Sequence, residues 1–456
     1  MSLWRLLSEI IWCTIISIAL VVVIVLIKYL NKKLNLFPEL SRKLVHISMG
    51  LIVLCMPFVF QSRATVLVLG VVACTGMLLM RMISITNKDA TSFLYGVHRT
   101  TSLGELLFPI SVALIFYFAD YNKVIYCIPI LILTFADSAA ALIGVRYGQK
   151  VLSKIKEDNK SLEGFIVFFV VAFLCCEIPL MLFTEIAPIN IILISIIIAV
   201  LSAITEVCSS HGIDNILLPM LSFTFLKVHM DMGTKNLIGQ ILIIFVLMAI
   251  AFWWNKRATM SKIGLLQGLL VAYVIVMLAG LSWLLAPMLL FFGYAIFPAL
   301  AEEEENHVIN NHIVETNVAV SILVLWIAVA TNTKELLLYT FYTVFALRLA
   351  INTFLRLKLY HHRNNLQAGV YAYIKSVIMV LVPGMFMNVI SYGYFPGIVG
   401  IVFSFITLAF IFRYVNFSYQ FVDYSKISAR SGWVSEIGVL IFALLQIVVS
   451  YVELLT

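Results

Sequence analysis

The chain has 456 residues, of which 62% are hydrophobic and only 12% are charged. Soluble domains carry about 25% charged residues, so this composition excludes an ordinary soluble globular protein. The formal net charge is +7, and it is compatible either with a nucleic-acid partner or with the basic loops of a membrane protein.

Long charge-free segments recur along the chain, for example at residues 191–201 and 241–254, and the first apolar run covers residues 10–30. A helix needs about 20 apolar residues to cross the hydrocarbon core of a bilayer. The short alternating segments of a membrane β-barrel do not occur here. Residues 10–30 are too long for the apolar part of a signal peptide and are interpreted as the first span. The sequence predicts an all-α, polytopic integral membrane protein with roughly 14–16 transmembrane helices.

Basic segments alternate with short, charge-poor connections. The six basic segments are residues 28–43, 81–99, 146–160, 256–262, 356–363 and 413–430. Because Lys and Arg concentrate in cytoplasmic loops, the pattern predicts an outside N-terminus and six cytoplasmic basic segments. The positive charge is then explained by topology, and nucleic acid is not expected as a partner. The acidic run at residues 302–305 is predicted to be a solvated loop, since four consecutive side chains cannot all converge on one ion.

A change of composition near residues 253–257 predicts a domain boundary. Before it, polar residues cluster in basic segments and at helix ends; after it, the loops are rich in aromatic and amide residues. We therefore predict one membrane domain at residues 1–255 and a second helical membrane domain at residues 256–456.

The first polar group in chain order contains Arg42, Lys43, His46 and Gly50. Arg42 and His46 are four residues apart and share one helix face. A cation and an imidazole on that face could bind phosphate. The alternative is that both residues only anchor the helix at the cytoplasmic interface.

The second group begins with Asp137 at the end of a very apolar segment. On a helix, Asp137, Ala140, Gly144 and Gly148 fall on one narrow face. That face carries almost no side chain, so either a ligand or another helix can approach its backbone closely. An acid in an apolar span is a functional candidate by default.

A basic loop and a second polar cluster follow this glycine face. The cluster contains Lys160, Ser161, Glu163 and Gly164. Lysine and backbone N–H groups bind phosphates, and carboxylates bind the Mg²⁺ that bridges them. The two parts together therefore favour a nucleotide site over simple helix packing.

The third group contains Glu206, His211, Asp214 and Asn215, followed by Pro219. Asp-Asn before a proline is ordinarily only a turn. Here it lies on the same predicted side of the membrane as the other two groups. The three groups together supply cations for phosphates, carboxylates for a metal ion and candidates for a general base.

These three ordered elements resemble the polyprenol and phytol kinase family, integral membrane enzymes that phosphorylate isoprenoid alcohols. The upstream element of the family pattern is met by Arg42, Lys43, His46 and Gly50. The central element is met by Asp137, Ala140, Gly144, Gly148, Lys160, Ser161, Glu163 and Gly164. The downstream element is met by Glu206, Asp214, Asn215 and Pro219. The loop between Gly148 and Lys160 is longer than the family's usual loop.

The resemblance implies Mg²⁺ and a nucleoside triphosphate, often CTP in this family; the residues themselves do not distinguish CTP from ATP. It implies an isoprenoid alcohol such as phytol or a polyprenol as substrate, with the active site on the cytoplasmic face. The catalytic residues are then expected to be Asp137, Lys160, Glu163 and Asp214. The residues expected to bind the nucleotide are Arg42, His46, Ala140, Gly144, Gly148, Ser161, Gly164 and Asn215. The expected metal ligands are Asp137, Glu163 and Glu206.

The second domain is similar to the family that includes phytyl-phosphate kinases, at residues 259–268 and 314–317. This would join two successive phosphorylations in one chain; an accessory domain is the alternative. For the whole protein, two other functions stay open. One is transfer of CMP to a lipid phosphate, as in phosphatidate cytidylyltransferases. The other is lipid transport or flipping, since intramembrane polar residues also mark transport sites.

Overall fold

The computed structural model describes residues 3–86, 104–155, 158–209, 212–254, 262–296, 311–361 and 365–392, with a few positions between 439 and 447. Within these ranges the chain is helical apart from its connections and one short hairpin. The prediction of an all-α polytopic membrane protein is confirmed. His211, the acidic run at residues 302–305 and the basic segment at residues 413–430 lie outside the described residues.

The contacts within the chain divide it into two units, Met1–Phe245 and Val246–Thr456. The elements of the first unit are α1 (Leu3–Leu34), α2 (Pro38–Leu54), α3 (Met56–Val59), α4 (Arg63–Thr86), α5 (Gly104–Phe118), α6 (Lys123–Leu131), a π-helical turn (Ile132–Ala136), α7 (Asp137–Tyr147), β1 (Val151–Ile155), β2 (Asp158–Ser161), α8 (Leu162–Phe183), α9 (Pro188–Cys208), α10 (Asp214–His229) and α11 (Thr234–Trp254).

The division between the two units falls inside α11. The functions predicted for the two domains stay predictions. The elements that follow in the second unit are α12 (Lys262–Ala279), α13 (Leu281–Ile296), α14 (Asn311–Ala330), α15 (Lys334–His361), α16 (Asn365–Ser376), a second π-helical turn (Val377–Leu381) and α17 (Val382–Tyr392).

Eight helical segments of the described chain are long and apolar enough to cross a membrane. They are Leu7–Leu34, Glu39–Val59, Lys123–Tyr147, Leu162–Phe183, Pro188–Cys208, Thr234–Trp253, Lys334–Phe354 and Leu366–Ser391. Five shorter apolar helices are Arg63–Leu79, Gly104–Phe118, Ile263–Ala279, Leu281–Phe292 and Val320–Ala330. The count of 14–16 spans and the inside–outside orientation stay predictions.

Helix α9 is the central element of the first unit. It packs against α8 and α10, and its side chains are buried from Ser202 to its end. The hydroxyl groups of Ser202 and Ser222 share a hydrogen bond of 2.9 Å that joins α9 to α10. A buried hydroxyl needs such a partner in an apolar interior. The bond therefore helps to hold α9 and α10 together close to the site described below.

The π-helical turn interrupts the span that carries Asp137. It follows Pro129, which cannot donate a backbone hydrogen bond, and the Asp137 N–H donates to the carbonyl of Ile132. Helix α2 packs closely on this turn: a Cβ atom added to Gly50 would overlap the side chain of Thr134. The absence of a side chain at Gly50 therefore lets α2 lie directly against the segment that carries Asp137.

The loop that separates Gly148 from Lys160 contains the antiparallel hairpin of β1 and β2. Val151 pairs with Ser161 and Ser153 pairs with Lys160, with an irregularity between them. The Ser161 hydroxyl then accepts the N–H of Gly164 at 3.1 Å and caps α8. The hairpin thus returns the chain so that Lys160 and Ser161 stand at the start of a membrane helix.

The second unit has its own apolar core, centred on α15. Its residues Phe341 and Phe345 are fully buried, and the Phe341 ring lies 4.8 Å from that of Trp283, between centroids. The hydroxyl of Tyr342 donates to the carbonyl of Ser282 at 2.7 Å. A contiguous buried cluster of this kind is what a domain with its own apolar core contains.

Replacement of Gly50 by alanine tests the close packing of α2 on the π-helical turn. We expect Gly50→Ala to destabilise the protein by about 1–3 kcal/mol, because the added methyl group overlaps Thr134. Gly76→Ala in α4 is the matched control, since nothing lies within 4 Å of its added Cβ. Thermal unfolding in detergent measures both; equal midpoints would contradict the packing.

Candidate active site

The first unit buries an ion pair between α2 and α7. The Lys43 Nζ atom lies 2.6 Å from Oδ2 of Asp137, and the side chains are 3% and 6% exposed. An isolated carboxylate at this depth would cost several kcal/mol, so Lys43 is what allows Asp137 to be charged here. The contact joins the upstream and central elements of the sequence pattern.

Sequence reasoning did not assign Lys43 to the site, and selected Arg42 instead. In the structure the Arg42 guanidinium contacts Glu39 at 2.6 Å, one turn earlier on the same helix. Helical periodicity could have indicated Lys43 as well, because Lys43 and His46 are three residues apart and also share a face. The choice between adjacent cations depends on the rotation of α2 about its axis, which the spacing alone does not define.

His46 contacts both the acid and the backbone of the neighbouring span. Its Nε2 lies 3.0 Å from the carbonyl oxygen of Leu133 and 3.7 Å from Oδ2 of Asp137. A carbonyl oxygen only accepts, so Nε2 carries the proton in this arrangement. The ring also makes an edge contact with Phe108, at 5.3 Å between centroids. His46 therefore orients the π-helical turn beside Asp137.

Three carboxylates from three helices meet next to this ion pair. Asp137 begins α7, Glu206 is near the end of α9 and Asp214 begins α10. One oxygen from each lies within 4.8 Å of the other two. Within the described part of the chain, this is the only group of three His, Cys, Asp or Glu side chains found close enough to hold a metal ion.

Lys160 brings a second cation to the cluster, through an ion pair with Oε1 of Glu206. Burial by itself lowers a lysine pKa, but the nearby carboxylates of Glu206 and Asp214 outweigh it and raise the pKa of Lys160 above its usual value. Lys160 is therefore cationic at neutral pH. Three carboxylates and two ammonium groups leave the cluster with a net charge of −1.

The cluster fits a hard divalent cation. The second carboxylate oxygen of Glu206, Oε2, is buried and has no hydrogen-bond partner among the described residues. Buried acceptors are normally satisfied, and carboxylate oxygens are the ligands that Mg²⁺ prefers. Asp137, Glu206 and Asp214 could hold such an ion, and the residual negative charge would favour it.

The glycine face of α7 packs against the start of α8. A Cβ atom on Gly164 would lie 3.0 Å from the carbonyl oxygen of Ala140, and one on Gly144 would lie 3.2 Å from the Ser161 hydroxyl. A Cβ atom on Gly148 would approach the Ser161 side chain to 2.8 Å. The absent side chains therefore serve helix packing first, and this packing lays Ser161 and the start of α8 against α7.

Glu163 stands apart from the three-carboxylate group. Its Oε2 accepts the backbone N–H of Gln149 at 3.1 Å, and both of its oxygens lie 3.4 Å from the N–H of Lys150. These contacts tie the base of the hairpin to the first turn of α8. The sequence-based role of Glu163 as a metal ligand stays a prediction.

A cavity of about 540 Å³ opens at the cluster. Its polar end is lined by Arg42, Lys43, His46, Asp137, Lys160, Ser161, Glu206, Asp214 and Asn215, and by the glycine-face residues Ala140, Gly144 and Gly164. The rest of its lining also includes the carboxylates of Glu39 and Glu105 but is mainly apolar, with Leu20, Met49, Val53, Met56, Val66 and Phe108 among its residues. Of the predicted site residues, Gly148 and Glu163 do not line it.

Comparison with known proteins identifies one relative. Over 201 residues the chain is 28% identical to a phytol kinase of Synechocystis sp., and the match covers 43% of this chain and 82% of that protein. No protein-family model matches the chain, and no solved structure matches it. The similarity supports a phytol or polyprenol kinase-like family and no finer assignment.

Removal of the Lys43 charge tests the buried ion pair. We expect Lys43→Met to destabilise the protein by about 3–5 kcal/mol, because Asp137 would remain buried without its partner. Arg42→Met is the control; its pair with Glu39 is partly exposed, so a loss of about 0–1 kcal/mol is expected. Thermal unfolding in detergent measures both.

The double variant Lys43→Met/Asp137→Asn refines this test. Removing both charges should recover part of the stability lost in Lys43→Met, because no unpaired charge then remains buried. If the double variant were less stable than Lys43→Met alone, charge pairing would not be the source of the loss.

Proposed function

We propose that the first unit transfers the γ-phosphoryl group of a nucleoside triphosphate to the hydroxyl group of an isoprenoid alcohol. The observation that carries this proposal is the joining of three carboxylates and two lysines at one end of a cavity whose lining is otherwise mainly apolar. A phosphate-binding end and a lipid-binding end in one cavity match the two substrates of such a kinase. The similarity to a phytol kinase supports the same conclusion.

The polar end would bind the triphosphate. Asp137 and Glu206 would hold Mg²⁺, which when bound neutralises charge on the phosphate oxygens during transfer, and Asp214 is kept for the proton step below. Lys43 and Lys160 are the two ammonium groups at the cluster, and each would pair with phosphate oxygens as well as with its carboxylate. Phosphoryl transfer depends mainly on positioning and charge neutralisation, which is what this arrangement supplies.

The apolar end would hold the alcohol with its hydroxyl group at the carboxylates. The alcohol oxygen then forms a bond to the γ-phosphorus, and the bond from that phosphorus to the β–γ bridging oxygen breaks. The alcohol proton passes to a carboxylate, for which Asp214 is the candidate because it is the least buried of the three. The products are the alcohol monophosphate and the nucleoside diphosphate.

The phosphoryl donor and the membrane face of the polar end are proposed from the sequence-based hypotheses. We propose CTP as the donor, from the resemblance to the polyprenol and phytol kinase family. We propose the cytoplasmic face for the polar end, because the basic segments that flank it follow the positive-inside rule. Nucleotide is available on that face, and the alcohol can enter sideways from the bilayer.

Labelled CTP separates this function from the two alternatives. Label in the γ-position should appear on the lipid if the chain is a kinase, when purified protein is incubated with phytol. Label in the α-position would appear on phosphatidate if the chain transfers CMP. If neither label appeared on a lipid, both enzymatic functions would be excluded and transport would be favoured.

Neutralisation of the cluster acids should abolish this transfer. We expect Asp137→Asn and Glu206→Gln each to lower kcat by roughly 10²-fold or more, because the charge that holds the metal–triphosphate complex is reduced. Asp120→Asn is the matched control: Asp120 pairs with Arg63 at an exposed turn outside the cavity. Wild-type turnover in both cluster variants would contradict the proposed site.

Metal removal gives a separate test. We expect EDTA to abolish phosphoryl transfer and excess Mg²⁺ to restore it, because three carboxylates without a cation repel the triphosphate. Transfer is measured as γ-label on the alcohol before and after chelation. Full activity in EDTA would exclude the proposed metal role of the cluster.

A further inference from the structure

Glu163 is a predicted metal ligand that stands outside the three-carboxylate group described above. It lies in the first turn of α8, three residues after Lys160 in the chain. Its carboxylate faces main-chain N–H groups: Oε2 accepts from Gln149 at 3.1 Å, and both oxygens lie 3.4 Å from the N–H of Lys150. Both oxygens of Glu163 are therefore directed at the base of the hairpin.

A main-chain hydrogen bond closes the same end of the hairpin. The N–H of Leu162 donates to the carbonyl oxygen of Lys150 at 2.9 Å. Together with the contacts of Glu163, this bond joins the segment that leaves α7 to the first turn of α8. We call these contacts, made by Gln149, Lys150, Leu162 and Glu163, the hairpin clamp. An isolated two-stranded hairpin is only marginally stable in water, so its position depends on such contacts.

The adjoining ends of α7 and α8 favour the hairpin clamp at this point. A negative charge in the first turn of a helix is stabilised by the helix dipole, and this is where α8 carries Glu163. Hydrogen bonds to a charged acceptor are stronger than those between neutral groups. At the end of α7, Gly148 lies so close to Ser161 that an added Cβ atom would approach its side chain to 2.8 Å. The two junctions therefore meet directly.

Lys160 joins the hairpin clamp to the carboxylate cluster. It pairs with Ser153 across the hairpin and precedes the clamp residue Leu162 by two positions. Its Nζ atom pairs with Oε1 of Glu206 on α9. A lysine side chain has a flexible four-carbon stem, so its ammonium group stays at the carboxylates only if its main chain is held close to them. The hairpin clamp holds the main chain on either side of the strand pair.

We propose that Glu163 is a positioning residue that acts through Lys160. By closing the hairpin, its carboxylate sets the Lys160 ammonium group at the end of the cavity that would bind the triphosphate. The inference rests on the proposed function and gives Glu163 a role other than metal binding. Glu163 does not line the cavity, and its oxygens face N–H donors, which is the arrangement of a main-chain clamp.

Two substitutions of Glu163 separate positioning from metal binding in the full-length protein. Glu163→Ala removes the acceptor, whereas Glu163→Gln keeps an uncharged acceptor oxygen at the same chain length. With phytol as acceptor, we expect kcat/KM for CTP to fall roughly tenfold in Glu163→Ala, since misplacement of a charged group is costly, and by no more than about threefold in Glu163→Gln. Glu335→Ala is the control, because Glu335 lies in the first turn of α15, in the second unit. Equal losses in both Glu163 variants would overturn the proposal, because a metal ligand depends on the carboxylate charge that both lack.

A double-mutant cycle tests whether Glu163 acts through Lys160. The effect of Glu163→Ala is measured in the wild-type protein and in Lys160→Met, both as kcat/KM for CTP and as the Kd of Mg–CTP from equilibrium dialysis. We expect the effect on each quantity to shrink below about twofold in the Lys160→Met background, since no ammonium group is left to position. An undiminished effect in that background would overturn the proposal.

Amine labelling measures the position of Lys160 without any turnover. Purified protein is treated with acetic anhydride, and the modified lysines are quantified by mass spectrometry. We expect Lys160 to be labelled at least roughly threefold faster in Glu163→Ala than in the wild type, because release from Glu206 opens its amine to the reagent. Lys43 is the internal reference, since its ammonium group is buried against Asp137.

The labelling result separates this inference from the proposed function. If the wild-type protein phosphorylates no alcohol but the labelling of Lys160 rises as expected, the proposed function fails and the hairpin clamp stands. Unchanged labelling of Lys160 in Glu163→Ala would overturn the inference, whatever the turnover of the variant.

Discussion

The ion pair between Lys43 and Asp137 is the interaction on which the rest of the site depends. A carboxylate in an apolar span is unfavourable by itself, and a lysine on a different helix compensates it at 2.6 Å. That contact holds α2 beside α7, and the second pair of Lys160 with Glu206 holds the hairpin beside α9. Two cations and three acids therefore stabilise one another. Their formal net charge of −1 is the feature on which the proposed divalent-cation site rests.

Small residues make these long-range contacts geometrically possible. Gly50 lets α2 approach the π-helical turn, and the glycine face of α7 lets the start of α8 lie against its backbone. Without those close approaches Lys43 and Lys160 would stand too far from the acids to pair with them. The glycines thus act mainly through packing, while Gly144 and Gly164 also form part of the cavity wall. The missing side chains therefore explain the packing, and the proposed ligand site would use the same cavity wall.

The cavity presents two kinds of lining inside one protein, charged at one end and mainly apolar elsewhere. Its polar end carries three carboxylates and two lysines, and the rest of its lining is mainly apolar. The proposed reaction between a water-soluble nucleotide and a membrane alcohol would need such a combination, because neither substrate is stable in the other's environment. Glu9, on α1, accepts the backbone N–H group of Gln61, so a buried acid also joins α1 to the connection between α3 and α4.

The sequence by itself determined the fold class and most of the residues that meet at the cluster. Apolar segments of bilayer length allow only helices, and polar residues at the ends of such segments are few, so Asp137, Lys160, Glu206 and Asp214 could be identified from composition and spacing. Only the tertiary structure decided how they pair. The rotation of α2 brings Lys43 to Asp137 and sends Arg42 to Glu39, while Glu163 contacts the hairpin backbone. The pair of Lys43 with Asp137 joins residues 94 positions apart in the chain, and no local periodicity defines such a contact. The cavity depends in the same way on tertiary packing, because its lining comes from several separate helices.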